Sequence, residues 1–146
     1  DEQLRSLPLC GIPQYFMVSP DLPPRGDDPL ADLRRRPFLI DRFEHETRQE
    51  FAQRVQMERE LWGFTGETVV VPDRDSAYTY AELGRGVVIG TGESVMAAGR
   101  ALASCPTGVR ETLHAVWPLR DPSPLAARYA RFLQRAFSQR HSLPPP

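Results

Sequence analysis

The 146-residue sequence contains no lysine and no asparagine, so all 18 of its basic residues are arginines. A GC-rich coding sequence produces this bias before any functional pressure does. The 19 acidic residues bring the net charge to -1, so the basic excess by which a nucleic-acid surface announces itself is missing. Cysteine is scarce. Cys10 and Cys105 lie far apart, with no CxxC pair and no histidine at ligand spacing, which excludes a zinc or dithiol motif and leaves buried or idle thiols. Long apolar runs are also lacking. With no stretch of about 18 apolar residues and no charged-then-apolar leader, neither a membrane span nor a secretion signal is read, and a cytoplasmic setting with no membrane partner is expected. The sequence starts at Asp1 rather than methionine, as a processed chain or a fragment would, and no internal repeat is visible.

What is present is enough apolar content, 40%, for one ordinary domain with its own core. Ile12 to Val18 reads as an aromatic and β-branched strand closed by Ser19-Pro20, and the Pro- and Gly-rich stretch from Asp21 to Asp28 as a connector. Asp27 or Asp28 caps a short helix from Pro29, and Arg34, Arg35 and Arg36 suit its C-terminal dipole end, as a solvated terminus or as a patch for phosphate or an acidic partner. A strand over Phe38–Asp41 and a charged loop precede an amphipathic helix from His45 to Trp62. Phe51, Val55 and Trp62 form its stripe, Met57 and Leu61 lie beside it, and Gly63 stops it.

The chain is organised around Glu67 to Ser94, read as a strand (Thr68–Val71), a turn (72–75), a helix (Ser76–Leu83), a strand (Gly86–Ile89) and a second turn at Gly90, Thr91 and Gly92. Both turns of such a β-α-β unit fall at the same carboxyl edge of the sheet, where open α/β folds bind ligands. A helix from Thr91 or Gly92 to about Ala103, a turn at Pro106-Thr107-Gly108 and a strand over Leu113–Trp117 follow. Ser123-Pro124 starts the last helix, with Leu125, Tyr129, Phe132, Leu133, Ala136 and Phe137 as its apolar stripe, and His141 to Pro146 form a tail. This alternation predicts a three-layer α/β fold with a largely parallel sheet.

No signature of catalysis or cofactor binding is complete. Ser94 lacks the second glycine of a nucleophile elbow, and Gly90-Thr91-Gly92 lacks the third glycine of a dinucleotide fingerprint because position 95 is valine. Asp73 and Asp75 offer a DxD to a divalent metal, but two residues apart at a helix start they also suit capping. His45, His114 and His141 are scattered without partners. No catalytic residue, metal or cofactor is therefore expected. What remains are three loops, Asp41–Glu44, Pro72–Ser76 and Gly90–Ser94, each ending a strand and opening a helix with free backbone N–H groups. They suit a small anion, with Arg42 or Arg74 as counter-charge and Thr91 or Ser94 as hydroxyl donors; otherwise these polar residues cap their own helices.

Several runs, in order, resemble one family. Phe16-Met17-Val18-Ser19-Pro20, Asp28-Pro29-Leu30-Ala31, and Leu33 followed by Arg36-Pro37-Phe38-Leu39-Ile40 are similar to the crossover strand, "HPLA" helix and "LadrPfi" strand of LysR-type transcriptional regulators. Trp62-Gly63-Phe64 and Asp75 through Gly90 resemble the family's "aGf...vaaGlGvail" core, and Ala115-Val116-Trp117-Pro118 with Ser123 through Leu133 resemble its last strand and "lspaaraFldfl" helix. The match covers about residues 7 to 137. It implies a co-inducer-binding domain of the type 2 periplasmic-binding fold, with two α/β lobes, and no enzyme. Residues 1–21 then form a remnant of the first lobe and the crossover strand, 22–108 the second lobe, 109–140 the return strand and C-terminal helix, and 141–146 a tail. The family's contacts carry over to Asp41, Arg42, Phe43, Pro72, Asp73 and Arg74, joined by Thr91 and Ser94 from the third loop. The partners implied are a small-molecule effector, a homo-oligomer, and DNA only through a winged helix-turn-helix that this sequence lacks. Arg42 favours a small organic acid. A solute-binding protein or a small enzyme on the same fold is the alternative.

Overall fold

The computed structural model describes residues 3–91, 99–120 and 124–138. The chain divides into two compact units, residues 14–107 and residues 1–13 with 108–146. Two long strands, β1 (Leu4–Val18) and β5 (Ala103–Pro118), run from one unit into the other.

Within residues 14–107 the elements are the end of β1, α1 (Pro29–Arg34), β2 (Phe38–Asp41), α2 (Arg48–Trp62), β3 (Thr68–Val71), α3 (Arg74–Glu82), β4 (Val88–Gly90) and the start of β5. β2 and β3 pair in parallel from Phe38 opposite Thr68 to Asp41 opposite Val71. A parallel bridge between Phe38 and Val87 brings β4 to the other side of β2, where the Leu39 N–H donates to the Val87 carbonyl at 2.9 Å and the Val87 N–H to the Pro37 carbonyl at 2.8 Å. β1 closes this side antiparallel, with Tyr15 opposite Gly90 and Met17 opposite Val88, and β5 lies beyond it. The three parallel strands therefore end together, at Asp41, Val71 and Gly90.

Side chains alternate across this sheet with the period of a strand. Phe16, Val18, Phe38, Ile40 and Val87 point to one face, where Leu33 of α1 and Phe51 and Trp62 of α2 cover them. Met17, Leu39, Val71 and Val88 point to the other, under Ala77, Tyr78 and Ala81 of α3. Both faces are buried, which is why these strands read as short continuous apolar runs. The result is the expected three layers.

Local signals set the helix boundaries. Asp28 accepts from the Ala31 N–H at 3.1 Å with proline at the first helical position. α2 begins at Arg48, three residues later than the sequence reading, because Thr47 and Glu50 form a reciprocal capping box; it ends at Gly63 in the left-handed region, φ +74°. α3 starts two residues earlier than expected, since Asp73 rather than a later residue is its cap. Phe51 and Trp62 are buried as predicted, but Met57 and Leu61 are more than 60% exposed, because they fall off the narrow stripe that meets the sheet. The arginine triplet is only partly a solvated terminus. Arg34 donates to the Trp62 carbonyl at 3.0 Å, and Arg36 to the carbonyls of Leu22 and Pro23 and to Asp32.

In the other unit, β1 and β5 are joined at the Leu119 N–H and Gln3 carbonyl, 2.8 Å, and Arg110 reaches the Gly11 carbonyl at 3.2 Å. Helix α4 (Leu125–Ser138) is attached through Gln134, which donates to the Pro8 carbonyl at 2.8 Å. Three expectations are corrected. β1 starts at Leu4 rather than Ile12, and the expected turn at Pro106-Thr107-Gly108 lies inside β5, where Gly108 takes φ +78° and lets the strand continue. The predicted helix from Thr91 or Gly92 falls mostly on residues 92–98, outside those described, and its expected end at Ala103 is the first residue of β5. The helix over α4 is present, but Leu125, Tyr129 and Phe132 of its stripe are exposed; Ala130 is buried and Leu133 and Phe137 are half-buried instead.

Candidate functional site

The common end of β2, β3 and β4 collects most of the residues singled out in the sequence. Asp41 is the last residue of β2 and is largely buried, its side chain 14% exposed. Its main-chain carbonyl accepts from Arg54 Nη2 at 2.5 Å, and its carboxylate faces Arg74 Nη1 at 3.6 Å. Arg42 lies next along the chain and stacks its guanidinium over the Phe51 ring, 4.6 Å from the centroid. Among the described residues no carboxylate lies within ion-pair distance of it. Phe43 is exposed and lies under the Arg54 guanidinium at 3.9 Å.

At the second strand end, Pro72 and Asp73 are exposed. The Asp73 carboxylate accepts from the Ser76 N–H at 2.7 Å, and this backbone bond, followed by the Ser76 hydroxyl, holds its pKa below the ordinary value. Asp73 is thus a helix cap. Asp75 pairs with Arg100 at 3.3 Å, and Arg100 also reaches Glu82. Each half of the DxD is engaged, and among the described residues no cluster of three metal-ligating side chains occurs. At the third strand end Thr91 is half-buried, and Ser94 lies outside the described residues.

Four residues hold the edge together, of which the sequence reading placed only Gly90 here. Tyr78, buried on α3, accepts from Arg74 Nε through its hydroxyl at 3.2 Å, and Gly90 sits against the Arg74 guanidinium. Arg54 makes a bidentate pair with Glu46 at 2.7 and 2.9 Å and lies 3.6 Å from Glu58. Glu46 is the fourth. The Thr47-x-x-Glu50 pattern would have placed the turn of α2 here; nothing in the sequence signals the Arg54 bridge, which spans eight residues.

The Arg54 hydrogen bonds hold the Glu46 carboxyl below its ordinary 4.5. A carboxylate whose folded pKa is depressed stabilises the fold above its unfolded pKa and loses that contribution as pH falls through the folded value. Glu46→Gln should therefore lower the urea midpoint more at pH 7 than at pH 3, because the wild-type contribution fades as pH falls below the ordinary value and through the depressed folded one. Equal losses at both pH values would contradict the ion pair.

A concavity of about 370 Å³ lies at the opposite, amino edge, between Val18, Leu22, Arg36, Pro37 and Gly86. Arg36, its most prominent donor, is already committed to Leu22, Pro23 and Asp32. No helix among the described residues is long and apolar enough to cross a membrane.

Among solved structures the chain is similar to CbnR, a LysR family transcriptional regulator, with a TM-score of 0.59 at 20% identity over 92% of this chain and 48% of that one. The effector binding domain of a BenM variant matches at TM-score 0.69 and 14% identity over all of this chain and 71% of that one. The effector binding domain of QuiR, in complex with shikimate, matches at 0.60 and 11% over 94% and 67%. The chain thus spans about half the length of CbnR, and these likenesses fix the periplasmic-binding-like α/β fold. Among curated proteins no sequence matches significantly. The family model described as "LysR substrate binding domain" matches residues 1–138, and the chain belongs to that family.

Proposed function

We propose that this chain is the effector-binding regulatory domain of a bacterial LysR-type transcriptional regulator, non-enzymatic and cytoplasmic, and that it senses a small organic acid at the carboxyl edge of residues 14–107. The surface that meets the ligand comprises Asp41, Arg42, Phe43, Pro72, Asp73, Arg74 and Thr91, continued by Ser94. Its lobe is drawn at residues 22–108, with 1–21 as the remnant of the first lobe and its crossover strand, and 109–140 as the return strand and helix. The observation that carries the choice of an acid is Arg42. Arg54, Arg74 and Arg100 are each paired with a carboxylate, whereas Arg42, over the Phe51 ring, has none within ion-pair distance among the described residues and feels Glu46 only at longer range.

The relatives support the ligand class. QuiR is described with shikimate, BenM with benzoate and CcmR of Synechocystis with 2-PG, all of them acids. CbnR has been solved with its target DNA. In this chain, ligand binding would shift the population of domain conformations and so the arrangement of a homo-oligomer. DNA would be contacted through a winged helix-turn-helix outside these residues.

The test is a thermal-shift panel of shikimate, benzoate and 2-phosphoglycolate on wild type, Arg42→Lys and Arg42→Ala. At least one acid should raise the wild-type Tm, and Arg42→Ala should bind that acid about ten- to a hundredfold more weakly, as expected for loss of a charge-assisted hydrogen bond. Equal stabilisation of wild type and Arg42→Ala, or of none by any acid, contradicts the proposal.

A further inference from the structure

We propose that Arg74 is a positioning residue, a clasp across the ends of the three parallel strands, and that position 90 is glycine in order to admit it. Arg74 opens α3 directly behind β3. Its Nη1 faces the Asp41 carboxylate at the end of β2 at 3.6 Å, and its Nη2 donates to the Ile89 carbonyl in β4. Nε donates to the Tyr78 hydroxyl at 3.2 Å, and the guanidinium carbon lies 5.1 Å from the centroid of the same ring. Each of the three nitrogens is therefore engaged by a different element. A planar fork spreads its donors over three nitrogens and so reaches partners on separate elements, whereas the three donors of a lysine share one compact nitrogen.

Gly90 lies against the same guanidinium. A Cβ at this position would lie 2.7 Å from Arg74 Nη2, while its next neighbours, Met17 Cε at 3.5 Å and the Tyr78 hydroxyl at 3.7 Å, stand at ordinary contact. Gly90 is not among the glycines with positive φ. The backbone thus has no need of glycine here, and the space is kept for Arg74. The clasp ties the ends of the three strands to one another and leaves the ligand's charge to Arg42; that last clause rests on the function proposed above, whereas the clasp itself is measurable without a ligand.

The experiment is amide hydrogen exchange on the unliganded protein, with α2 as internal reference, for Arg74→Ala, Arg74→Lys, Gly90→Ala and the double variant Arg74→Ala/Gly90→Ala. Both Arg74 variants should speed exchange at residues 73–74 and 88–91 by about tenfold while α2 is unchanged. Gly90→Ala, which keeps the charge but displaces the guanidinium, should do the same. The double variant should add nothing further, because one contact has been removed twice. Wild-type exchange in Arg74→Lys or in Gly90→Ala, or additive effects in the double variant, would overturn the clasp. Failure of any acid to bind would refute the proposed ligand and leave this result standing.

Discussion

Phe16→Ala is expected to destabilise the fold by about 3–5 kcal/mol, a substantial part of the total stability of an ordinary domain. Phe16 is fully buried near the end of β1, and its ring meets Trp62 edge-on at 6.0 Å and Phe64 at 5.1 Å. Phe64 in turn stacks on Phe38 at 4.5 Å. One ring therefore joins β1, the end of α2, the loop behind it and β2, and none of these can collapse into the space without leaving its own partners. Phe16→Leu keeps most of the volume and should cost less than about 1.5 kcal/mol. Urea midpoints of the two variants against wild type check the difference; similar losses for both would show that the cluster is not the centre of the core.

Gly66→Ala should be comparably damaging, at about 3 kcal/mol, for a reason that involves no backbone strain. An added Cβ would lie 2.2 Å from the Arg36 carbonyl oxygen and 2.6 Å from that of Arg35, both main-chain atoms. Neither side has room to retreat. The Thr65 and Gly66 N–H groups donate to the Arg34 carbonyl at 2.9 and 3.3 Å, and Arg34 Nε is bonded to the Trp62 carbonyl. Gly26→Ala is the contrast: nothing lies within 4 Å of its added Cβ, and only the positive φ of 87° opposes it. That substitution should cost about 1–2 kcal/mol. Thermal midpoints of the two variants separate steric from conformational need for glycine.

The readable part of the fold lies in residues 28–90, where each element carries a local mark. Asp28-Pro29 opens α1, Gly63 closes α2, and the four-residue apolar runs Phe38–Asp41, buried on both faces, and Thr68–Val71, which leaves Val70 exposed, are strands. The capping box at Thr47 and Glu50 was present in the sequence and would have corrected the start of α2. The long strands were hidden by their own composition. Pro8 and Pro13 interrupt β1, and Pro106 and Gly108 interrupt β5, which as an edge strand tolerates residues that a central strand would not. The apolar residues of α4 misled for a different reason. Amphipathicity fixes the period of a helix but not which side is covered, and here Ala130 is buried while Leu133 and Phe137 are only half-buried and Leu125, Tyr129 and Phe132 are exposed.

The candidate site was legible in its location and less so in its wiring. Three strand ends at one edge follow from the alternation of elements, and Asp41, Arg42, Asp73 and Arg74 all lie there. The division of labour among the arginines was not visible, because it depends on contacts across many residues: Arg54 with Glu46, Arg100 with Asp75, and Arg74 with Ile89. Those pairings leave Arg42 without a carboxylate at ion-pair distance among the described residues.

The measurement that bears most directly on the central claim is a ¹H–¹⁵N chemical-shift titration of this chain with whichever of shikimate, benzoate and 2-phosphoglycolate gives the largest thermal shift. Perturbations should cluster at residues 41–43, 73–74 and 90–91 in wild type and be lost in Arg42→Ala. Perturbations centred instead on Leu22, Arg36 and Gly86, at the amino-edge concavity, would contradict the carboxyl-edge site.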